Sequence, residues 1–304
     1  MNKKLKGNII LILTSVIWGI SFVSQSVGVE TLSPFAFNGI RSVLGGISLL
    51  PVIFFIDRAK KKNGTFVSQK HNKSFLKAGI LCGLALGMAS GIQTYALKFT
   101  TAGKCGFITA LYILFVPILG IILGKRLKKI VIPGVVLALA GMYFLCLYGT
   151  DLSLNTGDIL TFICSIFFSF HIMIIDRYTA EVDGVKLACM QFFIAGILNC
   201  FVMCFDKIPT FGDILYCAVP ILYSGLMSCG VAYTLQIIGQ KYTNPTIASI
   251  LMSFESVFAV IAGWIILGDV MTSYETFGCF LMFAAIVTVQ LPTEKISEKN
   301  QTNV

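Results

Sequence analysis

Three residues inside otherwise apolar stretches can hold a charge or pass a proton: Arg41, His171 and Glu255. An ion in hydrocarbon costs several kcal/mol, so ionisable groups there face a protein interior and tend to mark functional paths. Glu255 falls about eleven residues into its run and Arg41 about seven, roughly 10 Å of helix rise. A carboxyl at that depth is suited to carrying a proton or binding a cationic group. Its structural alternative is a carboxyl bonded to nearby hydroxyls such as Ser253 or Ser256. The similar depths also allow an Arg41–Glu255 pair. His171 belongs to the residue type most used as a proton relay, although a lone buried histidine more often makes one structural hydrogen bond. Gln93, Gln191, Asn199 and Gln236 are either hydrogen-bonding glue between helices or the polar lining of a cavity. Trp18, Phe22, Tyr95, Phe107, Tyr112 and Trp264 can wall a ligand or simply pack.

Ten apolar runs must position these groups, at roughly residues 8–28, 34–56, 75–97, 102–123, 130–149, 157–175, 186–205, 214–237, 244–268 and 273–291. Each is close to the ~20 residues with which a helix crosses ~30 Å of hydrocarbon. The chain is 56% hydrophobic and 12% charged, against about 25% charged in a soluble domain. All but four of its 23 basic residues fall before the first run, in alternate gaps between runs, or after the last. The exceptions are Arg41, Lys98, Lys104 and Lys207, with Lys104 near the outer mouth of the fourth run. Basic loops stay in the cytoplasm, which predicts both termini cytoplasmic in a multi-pass plasma-membrane protein. The net charge of +9 is spread over short loops with no basic stripe, which excludes a nucleic-acid partner and leaves the lipid bilayer. Lys3-Lys4-Leu5-Lys6 mimics a signal peptide, but the run that follows is long and lacks a small-residue cleavage pattern, so it is read as a retained span. Ten scattered cysteines lack metal-ligand spacing and read as small hydrophobes. No disulfide, metal or cofactor is expected.

The chain repeats itself. LKFTTAGKCGFITALYILFVPILGIILGKRLKK (97–129) parallels QKYTNPTIASILMSFESVFAVIAGWIILGDVMT (240–272), pairing Lys98 with Lys241 and Thr100 with Thr243. The offset of 143 grows to 144 by Leu123-Gly124 and Leu267-Gly268. A weaker echo links residues 10–22 with 159–171. Five crossings per copy is odd, so the second copy starts on the opposite side of the bilayer. The fold class is therefore an all-α membrane protein with ten transmembrane helices, arranged as two inverted five-helix repeats. Secondary transporters are built this way, with their site near midplane between the repeats. Pro117 should kink the fourth span. Asn244-Pro245 starts the ninth. With Gly124 and Gly268 at the helix ends, these are the gate or hinge candidates. The loop 57–74 and the tail 292–304 are polar and cytoplasmic. No Walker, GxSxG or HExxH motif occurs, so no enzyme is expected.

These residues bring a family into view. The chain resembles the EamA-type ten-helix members of the drug/metabolite transporter superfamily over residues 8–291. The motifs that carry the likeness are WGISF (18–22), LSPFAFNGIRSVLGG (32–46), TTAGKCGFITALYILFVPILG (100–120), GDILTFICSIFFSFHI (157–172) and SFESVFAVIAGWIILGD (253–269). The resemblance implies two EamA domains, 8–147 and 157–291. It also implies a central cavity formed by both halves, and export or exchange of small metabolites; relatives handle amino acids, nucleoside-like compounds and other solutes. The family's Glu-Pro-Val reads Glu255-Ser256-Val257 here, which removes the proline expected to break the ninth helix, and its LGE ending reads Leu267-Gly268-Asp269.

The functional expectation is a secondary-active transporter of a small-molecule substrate. It would work by alternating access, with protons or passive exchange as the alternatives for coupling. Glu255, Arg41, His171, Gln93, Tyr112, Trp18 and Tyr95 are the cavity or coupling candidates. The rival class is a non-transporting membrane receptor or assembly partner. Substrate identity and oligomeric state are open.

Overall fold

The computed structural model describes residues 2–66, 73–100, 102–125, 127, 129–149, 153–268 and 271–290, with the side chains of residues 102–104, 267 and 290 excepted. The tail 292–304, Asp269 and the Lys104 side chain lie outside the described residues. The described structure is all helical.

Among the described residues, eight helices are long and apolar enough to cross a membrane: spans 1 (Lys3–Thr31), 2 (Pro34–Lys62), 3 (Lys73–Ala96), 4 (Cys105–Ile122), 6 (Thr156–Tyr178), 7 (Gly184–Met203), 8 (Ala218–Gln240) and 9 (Pro245–Ile266). The shorter apolar helices Val131–Cys146 and Ser273–Val289 are spans 5 and 10. Local signals set the starts. Ser33 and Asp183 cap spans 2 and 7 through their side-chain oxygens, and Asn155 closes a capping box with Asp158. Pro34 and Pro245 occupy first-turn positions, where the missing N–H costs nothing. Phe54, Phe55, Ile122, Trp264, Phe280 and Phe283 point outward, each more than half exposed, as lipid-facing side chains must.

Spans 4 and 9 are interrupted at matching places. Span 4 breaks between Ala102–Thr109 and Tyr112–Ile122, and span 9 between Pro245–Met252 and Glu255–Ala262. Span 9 therefore breaks without the missing proline. At the break, Ser256 N–H donates to Ser253 C=O, an i−3 bond, and the Ser253 hydroxyl competes for the Ile250 carbonyl at 2.8 Å. The break in span 4 is not at Pro117, which lies inside a continuous helix, but at Ala110-Leu111. Gly124 and Gly268 end these spans with φ of 78° and 76°, left-handed geometry that favours glycine.

The packing shows the inversion directly. Gly39, Val43 and Gly46 of span 2 lie against Cys200, Gly196 and Phe193 of span 7, so these two repeat-related helices cross antiparallel. Spans 5 and 10 do the same, with Gly134 on Val289 and Gly141 on Met282. Close approaches recur with roles exchanged. Gly7 of span 1 abuts Gly239 and Thr243, while Gly157 of span 6 abuts Ala96 and Thr100. This match, like that of Asn8 with Asp158, sets spans 1 and 6 at an offset of 150, one residue more than the 10–22/159–171 echo implies. The offset drops to 143 after the long basic loop, which the second half lacks.

One face gathers the basic ends. Lys60 pairs with Asp183 at 2.6 Å and Lys186 with Asp57 at 2.9 Å, crossing between spans 2 and 7, and Lys125 pairs with Asp176. Burial works to raise the Asp183 carboxyl. The Lys60 ammonium bonded to it, the Lys186 amide and both lysine charges outweigh burial and hold it below the usual carboxylate range.

Candidate functional site

Between the halves lies a central cavity reached by spans 1, 2, 3, 4, 6, 8 and 9. Ten of its fifteen lining residues form five repeat-related pairs. Trp18/Phe168 and Phe22/Ile172 are separated by 150, and Gln93/Gln236, Thr109/Met252 and Tyr112/Glu255 by 143. The pseudo-two-fold axis therefore runs through this cavity. The cavity is narrow: about 40 Å³ of it is wide enough for the centre of a water molecule. That admits about three waters; anything larger needs the walls to part.

Six of the seven cavity candidates meet here: Trp18, Arg41, Gln93, Tyr112, His171 and Glu255. Tyr95 does not. It stacks on Phe35 at 5.6 Å, with the Lys98 ammonium 5.2 Å from its ring centroid. Two residues along a helix is a turn of about 200°, so Tyr95 faces away from Gln93. Trp264 is 54% exposed and Phe107 packs in the core around spans 4, 5, 9 and 10. Of the gate candidates, Pro117 and Pro245 border a second cavity of about 330 Å³ at the basic face, next to Lys4 and Lys125.

Glu255 is buried at the start of the second half of span 9, and its Oε1 accepts a 3.3 Å hydrogen bond from the Tyr112 hydroxyl. Tyr112 opens the second half of span 4, so the broken helices present their equivalent residues to each other. Neither Ser253 nor Ser256 holds the carboxyl. Arg41 makes no ion pair with Glu255; its Nε donates to Asn38 Oδ1 at 2.8 Å. His171 is buried at the cavity edge, its Nε2 3.0 Å from Gln191 Oε1 and its ring edge-on to Tyr233 at 6.0 Å. Gln93 donates to Thr109 at 2.9 Å, and Asn199 donates across to the Gly87 carbonyl at 3.1 Å. Gln236 keeps an unpartnered Oε1, and Trp18 an unpartnered Nε1. Trp18 and Tyr233 meet at 4.6 Å between ring centroids. Tyr233, Thr109, Ser228, Gln25 and Phe168 were not singled out from the sequence. The repeat offset applied to Glu255 and Gln236 would have supplied Tyr112 and Gln93 as their partners.

Two polar contacts tie the halves together at opposite ends. Thr243 Oγ1 donates to Asn8 at 3.1 Å on the basic face, and Thr100 Oγ1 to Asp158 at 2.6 Å on the other. Thr100 and Thr243 are repeat-related, as are Asn8 and Asp158. Both ends are joined in this structure.

The profile of the EamA-like transporter family matches residues 5–147 and 155–291. The chain is similar to an uncharacterized transporter of Archaeoglobus fulgidus, at 31% identity over 95% of this chain and 87% of the relative. It is also similar to the uncharacterized transporter YoaV of Bacillus subtilis, at 24% identity over 91% and 94%. A solved crystal structure shares the fold, with a TM-score of 0.77 over 95% of this chain and 98% of that one at 15% identity.

Proposed function

Because the chain belongs to the EamA-like transporter family, we propose that it is a secondary-active transporter carrying a small metabolite, outward or in exchange, by alternating access. The observation that carries this reading is the cavity lined by matched residues of two opposite-facing halves. Such symmetry lets each half adopt the packing its partner holds, so that one site opens to either side in turn. The two halves, 8–147 and 157–291, act as the moving domains in a plasma membrane, with the basic face and both termini in the cytoplasm. The interrupted spans 4 and 9 supply the play, with Pro117 and Pro245 beside the cytoplasmic opening and Gly124 and Gly268 at the helix ends. Apart from the gain and loss of a proton, no step of this cycle makes or breaks a covalent bond. Glu255 carries the coupling proton, and His171 serves as a positioning group through Gln191.

The test is accessibility. Gln93→Cys and Gln236→Cys, with the exposed Cys204 replaced by serine, should each react with an impermeant thiol reagent from both sides of oriented vesicles. Reaction from neither side favours a non-transporting receptor. Reporters at residues 65 and 152 should read cytoplasm and exterior respectively. Comparing metabolites inside and outside cells with and without the protein identifies the cargo. With that cargo in proteoliposomes, Glu255→Gln should abolish accumulation driven by a pH gradient while exchange persists; unchanged coupling removes Glu255 from the role.

A further inference from the structure

We propose that Arg41 is the anchor for a carboxylate, so that the cavity takes an organic anion with a compact apolar body. The proposal rests on the transporter reading and adds the substrate's chemical class. Arg41 is only 5% exposed, yet no described carboxylate pairs with it. Its orientation is fixed from behind. Asn38 is fully buried, and its two amide N–H groups are shared among the Pro34 carbonyl at 3.0 Å, the Ser90 carbonyl at 3.2 Å and Thr94 Oγ1 at 2.6 Å. Those three acceptors leave Asn38 Oδ1 to receive Arg41 Nε. The Phe37 ring lies 5.6 Å from the guanidinium carbon.

With Nε occupied, the free edge of the guanidinium is the one carrying the two terminal nitrogens, and no described residue accepts from either. That edge matches the two oxygens of a carboxylate in a parallel, bidentate pair. A buried cation without a counter-ion is costly, so an anion arriving in the cavity gains what the protein itself leaves unsupplied. The rest of the wall suits an apolar body: Trp18, Phe22, Phe168 and Tyr233. The unpartnered Trp18 Nε1 adds one more donor to these walls. Glu255 has its own partner in Tyr112 and stays separate.

The chain has two tryptophans, and Trp264 faces outward. In purified Trp264→Phe protein, Trp18 alone therefore reports on the cavity. Titration with 3-phenylpropionate should change its emission saturably, while 2-phenylethylamine and sodium chloride should not. Arg41→Gln should weaken phenylpropionate binding at least about tenfold, the scale of a lost charge-assisted bond. Arg41→Lys, which keeps the charge without the fork, should weaken it less, and it serves if the glutamine variant does not fold. The proposal is overturned if the amine binds as well as the carboxylate, if chloride alone reproduces the change, if phenylpropionate gives no saturable change, or if both Arg41 variants bind as the parent does. Phenylpropionate needs only one face to open. A failure here therefore leaves two-sided labelling of Gln93→Cys and Gln236→Cys intact, and labelling from one side alone, which overturns alternating access, leaves this titration intact.

Discussion

Glu255 and Tyr112 occupy one position in two copies of the same broken helix, and the axis between the copies turns them face to face at 3.3 Å. A bond of that length is weak, so Tyr112→Phe should slow pH-driven transport only several-fold, whereas Glu255→Gln should abolish it; initial rates in proteoliposomes separate the two. Asn38 does heavier structural duty. Asn38→Ala removes the amide's contacts to Pro34, Ser90 and Thr94 and leaves Arg41 Nε without its partner, so it should lower stability by roughly 1–2 kcal/mol. It should also weaken phenylpropionate binding, because Arg41 loses its support; thermal unfolding in detergent and the Trp18 titration read the two effects. The sequence exposes groups such as Arg41, His171 and Glu255 because charge in an apolar run is conspicuous. It hides which hydroxyl a carboxyl selects. Ser253 and Ser256 are near Glu255 along the chain, but Ser253 turns back to its own helix, and the true partner lies 143 residues away.

At the scale of helices, close crossings decide stability. A methyl added at Gly157 would lie 2.7 Å from the Ala96 carbonyl oxygen, and one at Gly7 would lie 2.9 Å from Tyr242 Cβ and 3.0 Å from the Gly239 carbonyl oxygen, atoms that cannot swing aside. Gly157→Ala and Gly7→Ala should therefore each cost about 1–3 kcal/mol, while Gly106→Ala, with nothing within 4 Å, should be neutral or slightly stabilising. Melting temperatures in one detergent rank the three. Asp183 gives a pH signature. Its carboxyl is held below the usual range, so its contribution is fully present above the ordinary aspartate pKa of about 3.9 and fades as pH falls through the lowered folded value. Asp183→Asn keeps the helix cap and loses the Lys60 pair, a cost on the order of 0.5–1 kcal/mol after solvent screening; Asp183→Ala loses the cap too, about 1–2 kcal/mol. Both deficits should shrink in melts near pH 3. The start of span 9 was legible because the Asn244-Pro245 cap is local chemistry. The breaks in spans 4 and 9 were not, since a single i−3 turn leaves no mark on hydropathy and needs no proline.

For the whole molecule, alternating basic gaps and an odd repeat led to ten helices in two opposed halves, because charge asymmetry and span length are imposed by the bilayer itself. The offset between spans 1 and 6 slipped by one residue, since apolar helices match nearly as well at neighbouring registers; the glycine crossings at Gly7 and Gly157 and the contacts of Asn8 and Asp158 pin it. That register makes Thr243–Asn8 and Thr100–Asp158 one contact made twice, at opposite ends, and both are closed here. A carrier that opens one side at a time must release them one at a time. In a background with Cys204 replaced, an oxidised Asn8→Cys/Thr243→Cys pair should block an impermeant reagent from reaching Gln236→Cys from the basic face, yet leave Gln93→Cys open from the other. An oxidised Thr100→Cys/Asp158→Cys pair should reverse the pattern. Either cross-link should stop net transport, and reduction should restore it. If one cross-link closed both entrances, the halves would not move as independent rigid units about the cavity, and the exchange of packings between them would have to give way to motion of spans 4 and 9 alone.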